Sequence, residues 1–120
     1  MKKQISGWGK NTFVKTNIFF PKNLSELKKN IKNNCIARGL GRSYGDSSIN
    51  SVKTIITTNL KKIINFDKKK GILEAESGVS IEQMLNLIVR EGWFLPVTPG
   101  SKKVTLGGMV ASDVHGKNHH

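Results

Sequence analysis

Ala37-Arg38-Gly39-Leu40-Gly41-Arg42-Ser43-Tyr44-Gly45-Asp46 places three glycines, Gly39, Gly41 and Gly45, within seven residues. Glycine reaches backbone angles and close approaches that other side chains forbid, so successive amide N–H groups can converge on one anion. The apolar run Cys35-Ile36-Ala37 reads as a strand that delivers the loop. Arg42 adds a permanent charge and Ser43 a hydroxyl donor. A Rossmann fingerprint is excluded, because Tyr44 stands where the third glycine belongs and Ser47-Ser48-Ile49-Asn50 has no helical period. On local chemistry alone the stretch is either a phosphate cradle or a glycine-rich turn.

Working outward, the 120-residue length allows one modest core, and 37% hydrophobic content suits a globular chain. The formal charge of +12 first suggests nucleic acid or another polyanion. Seventeen of the 20 cations are lysine, however, and Lys, Asn and Ile together make up 40 of the 120 residues. These amino acids use A/T-rich codons, so the charge is discounted as a functional signal. Aromatic residues are few and not interleaved with the lysines, so no nucleic-acid partner is assigned. Cys35 is the single cysteine; no internal disulfide is possible, and beside Ile36 it reads as a small core residue. Polar residues follow Lys2 and Lys3, which does not match a secretory signal, and no apolar run approaches the roughly 20 residues of a transmembrane span. The expectation is a soluble, cytoplasmic protein, with peripheral contact to the inner membrane left open.

Residues 1–16 are expected to be irregular, with Gly7-Trp8-Gly9 packing one large ring onto a neighbouring surface. Asn17-Ile18-Phe19-Phe20 reads as an extended piece stopped by Pro21. Asn23 and Glu26 form a capping box for a helix with Leu24, Leu27 and Ile31 as its apolar stripe, ending at Asn33-Asn34. Beyond the glycine loop, Thr54–Thr58 is rich in β-branched residues and reads as a strand. Ile63–Phe66 and Gly71–Ala75 bracket Asp67-Lys68-Lys69-Lys70 as a hairpin with a charged turn. Ser80 and Gln83 open a second helix in which Ile81, Met84, Leu85 and Ile88 share one face and Gly92 is the stop. Trp93–Gly100 carries two prolines and reads as a rigid wall segment. Alternation of helix and strand makes the chain α/β or α+β.

The last 20 residues hold a second glycine pair, in Thr105-Leu106-Gly107-Gly108, and all three histidines, His115, His119 and His120. As metal ligands the histidines need acidic or thiol partners at suitable spacing, and only Asp113 is close, so no metal site is assigned. His115 reads as a core or ligand-lining residue. His119-His120 reads either as a natural continuation or as the start of a tag.

Taken together, Ala37 to Asp46, Pro99-Gly100-Ser101-Lys102-Lys103-Val104-Thr105-Leu106-Gly107-Gly108 and Asp113-Val114-His115-Gly116-Lys117-Asn118-His119-His120 resemble the FAD-binding domain of the vanillyl-alcohol-oxidase type, also called the PCMH type. The resemblance runs from Gly7-Trp8-Gly9 to the last residue and is strongest to the decaprenylphosphoryl-β-D-ribose oxidase branch of FAD-linked sugar oxidases. It implies an α+β fold, the first α/β subdomain of such a domain, truncated, with residues 17–120 as its N-terminal portion. It implies that Gly39, Gly41, Arg42, Ser43, Tyr44 and Gly45 wrap the FAD pyrophosphate. Gly100, Ser101, Thr105, Gly107 and Gly108 would then line the cofactor, and His115 and Gly116 would lie beside the flavin ring. Other members attach FAD through a histidine just before the loop serine; Arg42 holds that position here, so non-covalent FAD is expected. Ser112 falls where close relatives often have cysteine, and no thiol role transfers to it.

The implied reaction is hydride transfer from a sugar CH–OH carbon to flavin N5, the substrate being a sugar or lipid-linked sugar and a separate reductase a possible partner. No general base is assignable, and His115 is the one flavin-adjacent candidate. Family members continue well beyond the His-Gly pair, which gives the expectation of a truncated or split gene product with Trp93, Phe94, Val110 and Val114 exposed. An aldonolactone-oxidase-type fragment, an inactive remnant and a basic nucleic-acid module are the competing readings.

Overall fold

The computed structural model describes residues 1–32 and 34–116. The fold is α+β and consists of two units, Met1–Leu60 and the chain from Lys61 onward.

In the first unit, β1 (Lys2–Ser6) pairs antiparallel with β2 (Phe13–Phe19), and the chain continues through α1 (Leu24–Asn30), β3 (Cys35–Arg38) and β4 (Lys53–Ile56). The sheet order is β1-β2-β4-β3, with β4 parallel to both of its neighbours. Thr54 and Ile55 are successive and both buried, as in a central strand covered on both faces. Thr54 Oγ1 meets Thr16 Oγ1 of β2 at 3.3 Å, so two buried hydroxyls satisfy each other. The irregular start expected for residues 1–16 is corrected: Lys2–Ser6 is a strand. Its residues carry no apolar alternation, because it is an edge strand held by the ladder from Lys2↔Asn17 to Ser6↔Phe13, with lysines on the open edge.

α1 also departs from expectation. The Asn23 side chain accepts the N–H of Glu26 at 2.9 Å, but the Glu26 carboxylate reaches back to the N–H of Lys22 at 2.8 Å instead of closing the box on Asn23. The helix stops before Asn33-Asn34: Ile31 is already extended, and Lys53 Nζ binds the carbonyl and side-chain oxygens of Asn30 at 3.0 and 3.2 Å. Asn33 lies outside the described residues. Leu24 and Ile31 of the expected stripe are exposed, since so short a helix buries nothing fully. Cys35 is half-buried, its thiol donating to the Lys32 carbonyl at 2.9 Å, and is not a core residue.

The second unit begins with the hairpin β5 (Ile63–Asp67) and β6 (Ile72–Ala75). Asp67 Oδ1 accepts the N–H groups of Lys69 and Lys70, both at 3.0 Å, which shapes the lysine-rich turn. The Trp93 indole donates to the Lys68 carbonyl at 2.8 Å and covers Gly71, whose φ of +67° requires the missing side chain. α2 (Ile81–Ile88) forms as expected, with Ser80 and Gln83 making a complete capping box and Ile81, Met84 and Ile88 buried. Val104–Leu106 then runs beside Val79–Ile81: the Ile81 N–H donates to the Val104 carbonyl at 2.9 Å and the Leu106 N–H to the Val79 carbonyl at 2.7 Å. Leu106–Ala111 is helix α3, which the glycine pair concealed because each glycine costs a helix about 1 kcal/mol. Val79, Ile81 and Met84 form the centre of this unit's core. Trp93, Phe94 and Val110 are exposed as expected, but Val114 is half-buried, its N–H donating to the Met109 carbonyl at 3.0 Å. Among the described residues no helix is long and apolar enough to cross a membrane.

Glu82, in the first turn of α2, bridges to Lys102 and Lys103 at 2.7 and 2.8 Å. The hydrogen bonds from these two ammonium groups pull its carboxyl pKa from 4.5 to about 2. The folded-state pKa is depressed, so what the pairs contribute is present above pH 4.5 and is lost as pH falls through about 2. The Glu82 carboxyl carbon, followed by NMR, is expected to titrate near 2 in the unaltered protein and near 4.5 in the K102Q/K103Q variant. For the core, Met84→Ala is expected to destabilise the fold by about 2–5 kcal/mol and Ser80→Ala by about 1 kcal/mol in thermal unfolding followed by circular dichroism.

Candidate functional site

The first glycine segment leaves the carboxyl end of β3, the side of a parallel sheet where ligands generally bind. Gly41 and Gly45 have φ of +71° and +61°, values at which any other residue is strained. Among the described residues, the N–H groups of Gly41, Arg42, Ser43, Tyr44 and Gly45 donate to no acceptor in the chain. A side chain added at Gly45 would project into open space. Tyr44 is exposed and Ser43 half-buried.

The turn between β1 and β2 seats on this loop. The Trp8 N–H donates to the Ser43 carbonyl at 2.8 Å, and the Arg42 guanidinium lies over the Trp8 ring at 4.0 Å from its centroid. Gly7 is buried against the Gly45 carbonyl, where a Cβ has no room, and a Cβ on Gly9 would stand 3.3 Å from the Tyr44 ring. Arg42 also donates to the Leu40 carbonyl at 3.2 Å. The tryptophan thus packs on a neighbouring surface as expected, and that surface is the glycine loop itself.

Arg38, the last residue of β3, is not singled out in the sequence, where it stands between the Cys35–Ala37 strand and Gly39. Its half-buried guanidinium fills the space that a Cβ on Gly41 would take and lies 3.4 Å from Ser48 Oγ. Burial pulls its pKa below the usual 12.5. Among the described residues, neither Arg38 nor Arg42 has a carboxylate within salt-bridge distance.

The second glycine segment is arranged differently. Thr105 is buried and its hydroxyl accepts the N–H of Gly108 at 3.1 Å, capping α3. The N–H of Gly107 donates to the Ser77 carbonyl at 2.8 Å. The donors of Leu106, Gly107 and Gly108 are therefore all used inside the unit. Gly107 serves close packing, since a Cβ there would stand 3.0 Å from Ser77 Cβ. Ser101 Oγ accepts the N–H of Lys103 at 3.1 Å, and Gly100 faces open space. His115 is exposed, with Nδ1 3.3 Å from the Asp113 carbonyl, and Gly116 is half-buried. Ser112 caps the end of α3. Among the described residues no group of three His, Cys, Asp or Glu side chains could hold a metal ion. His119 and His120 lie outside the described residues.

These features fit a flavin dinucleotide on the anionic side of that molecule. A diphosphate needs several N–H donors and positive charge in a small volume. Among the described residues, the first loop offers five consecutive amides without an acceptor, open space at Gly45 and two guanidinium groups without carboxylate partners.

A family model described as a FAD binding domain matches residues 18–120. The chain is 32% identical over 126 residues to the decaprenylphosphoryl-β-D-ribose oxidase of Mycolicibacterium smegmatis, covering 98% of this chain and 27% of that protein. It is 38% identical over 55 residues to the human Δ(24)-sterol reductase, which is 46% of this chain and 11% of that protein. Among solved structures, cholesterol oxidase from Brevibacterium sterolicum matches with a TM-score of 0.75 at 18% identity, over 97% of this chain and 24% of the other. The chain thus spans about a quarter of the oxidase it matches over nearly its whole length. It belongs to the PCMH-type family of FAD-binding domains found in flavin oxidoreductases, and its cofactor is FAD.

Proposed function

We propose that the chain holds FAD without a covalent bond, as the cofactor-binding portion of an oxidoreductase that acts on the CH–OH group of a sugar or lipid-linked sugar. The observation that supports the cofactor reading is the run of five amides from Gly41 to Gly45 that have no acceptor among the described residues, in a loop where Gly41 and Gly45 adopt left-handed angles. In this reading the amides of the loop, the Ser43 hydroxyl, Tyr44 and Gly39 surround the diphosphate, and Arg42 holds the loop beside it from the Trp8 face. Gly100, Ser101, Thr105, Gly107 and Gly108 line the cofactor through close backbone approach, because the donors of 107 and 108 are already used in capping and packing α3. His115 and Gly116 flank the ring.

When bound, FAD supplies the redox chemistry by accepting a hydride from the carbinol carbon. The chain's share is to neutralise the diphosphate, fix its position and keep the loop from collapsing. No described residue is assigned as the substrate's base. The sugar substrate is suggested by the name of the Mycolicibacterium smegmatis relative, of which the chain spans 27%. Non-covalent attachment is supported by Arg42, a guanidinium committed to the Trp8 face and unable to take the role of a flavin-linked imidazole.

The test is uptake of FAD by the full chain, read from quenching of flavin fluorescence, followed by acid precipitation. Uptake with the yellow colour entirely in the supernatant is the expected result. Colour retained in the precipitate overturns non-covalent attachment, and no uptake of FAD overturns cofactor binding by this chain.

A further inference from the structure

We infer that the two arginines of the first loop divide the work: Arg38 is the charged group that meets the diphosphate of a bound nucleotide, and Arg42 is a positioning residue anchored on Trp8. The inference rests on the proposed cofactor reading and deepens it at the same site.

Arg42 is already committed. Its guanidinium lies face-on to Trp8, one N–H goes to the Leu40 carbonyl, and the Trp8 N–H holds the next residue, Ser43, by its carbonyl at 2.8 Å. Gly7 and Gly9, on either side of Trp8, abut Gly45 and Tyr44. Four successive loop residues, Arg42 to Gly45, are thus held from one side by one turn, and their own N–H groups are left unpaired among the described residues. That is a brace: it fixes the loop's shape and uses up carbonyls and the arginine's face, but no amide donor of the loop.

Arg38 is the opposite case. It leaves the sheet immediately before Gly39 and tucks its guanidinium under Gly41, where only the absence of a side chain makes room. Its side-chain partner is a neutral hydroxyl, Ser48 Oγ, at the long distance of 3.4 Å. Taking a guanidinium partly out of water without an anionic partner is costly, and burial accordingly lowers its pKa below the usual value. A doubly charged oxyanion held at this loop supplies the missing partner and accepts charge-assisted hydrogen bonds. Each arginine therefore has a distinct chemistry, although both sit in one stretch of sequence.

The experiment measures binding of ADP and of adenosine to the full chain by calorimetry at low and high salt, for the unaltered protein and for R38M, R38K, R42M and W8L. For R38M, ADP affinity is expected to fall roughly ten- to hundredfold with a flatter salt dependence, because the screened charge contact is gone. Adenosine affinity stays the same, since it has no phosphate. R38K falls between R38M and the unaltered chain, and it decides the matter if R38M fails to fold by circular dichroism. R42M and W8L are expected to weaken ADP binding while keeping the unaltered salt dependence, and W8L to speed tryptic cleavage after Arg42. The division of labour is overturned if R42M flattens the salt dependence while R38M does not, or if R38M weakens adenosine and ADP equally. If the unaltered chain binds neither ADP nor FAD, the cofactor reading fails, and this inference fails with it.

Discussion

The first unit is governed by a constraint on chain direction. β3 and β4 are adjacent and parallel, so after Arg38 the chain must return along the sheet before Lys53 can enter β4. Parallel neighbours usually solve this with a helix. Here residues 39–52 make the return as a loop, which must both reverse the path and hold an open arc of amides. The return limb is anchored: Ser48 and Ile49 are buried, and Asn50 Oδ1 accepts the N–H groups of Val52 and Lys53 at 2.7 and 3.2 Å. The outgoing limb has one internal hydrogen bond among the described residues, from Arg42 to the Leu40 carbonyl. It is steadied by the β1–β2 turn, through the Trp8 N–H on the Ser43 carbonyl and the Trp8 ring under Arg42.

The two glycine segments show that the same residue type does different work in different surroundings. In the first, glycine allows left-handed angles and leaves donors free; in the second, it allows α3 to press against Ser77 while every amide at the helix start is satisfied. A distinction of this kind cannot be made from spacing. It depends on which carbonyls the fold brings within reach, here those of Ser77 and Val79.

What could be read from the sequence follows the same logic. Ser80, Gln83 and the Ile81–Met84–Ile88 face were legible because cap and period are local. The hairpin around Asp67–Lys70 was legible for the same reason. β1 was not, since Lys2–Ser6 becomes a strand only through its ladder with β2. α3 is hidden by two glycines of poor helix propensity, which directly follow its cap Thr105 and Leu106. At the site, the glycine loop and Arg42 were legible by motif. Arg38 was not, because its importance lies in a missing counter-charge, and neither a motif nor a period records what is absent from a neighbourhood.

The brace has a consequence for where this domain should be considered to start. The family match opens at Ile18, near the end of β2, so a boundary drawn there would discard β1, most of β2 and Trp8. A polypeptide begun at that residue would keep every glycine of the loop and both arginines. It would also leave β4 paired with only a remnant of its neighbour and release Arg42 to wander. The stretch matched by the family model and the stretch that braces the loop do not coincide in this chain; the difference is a hairpin of fewer than twenty residues.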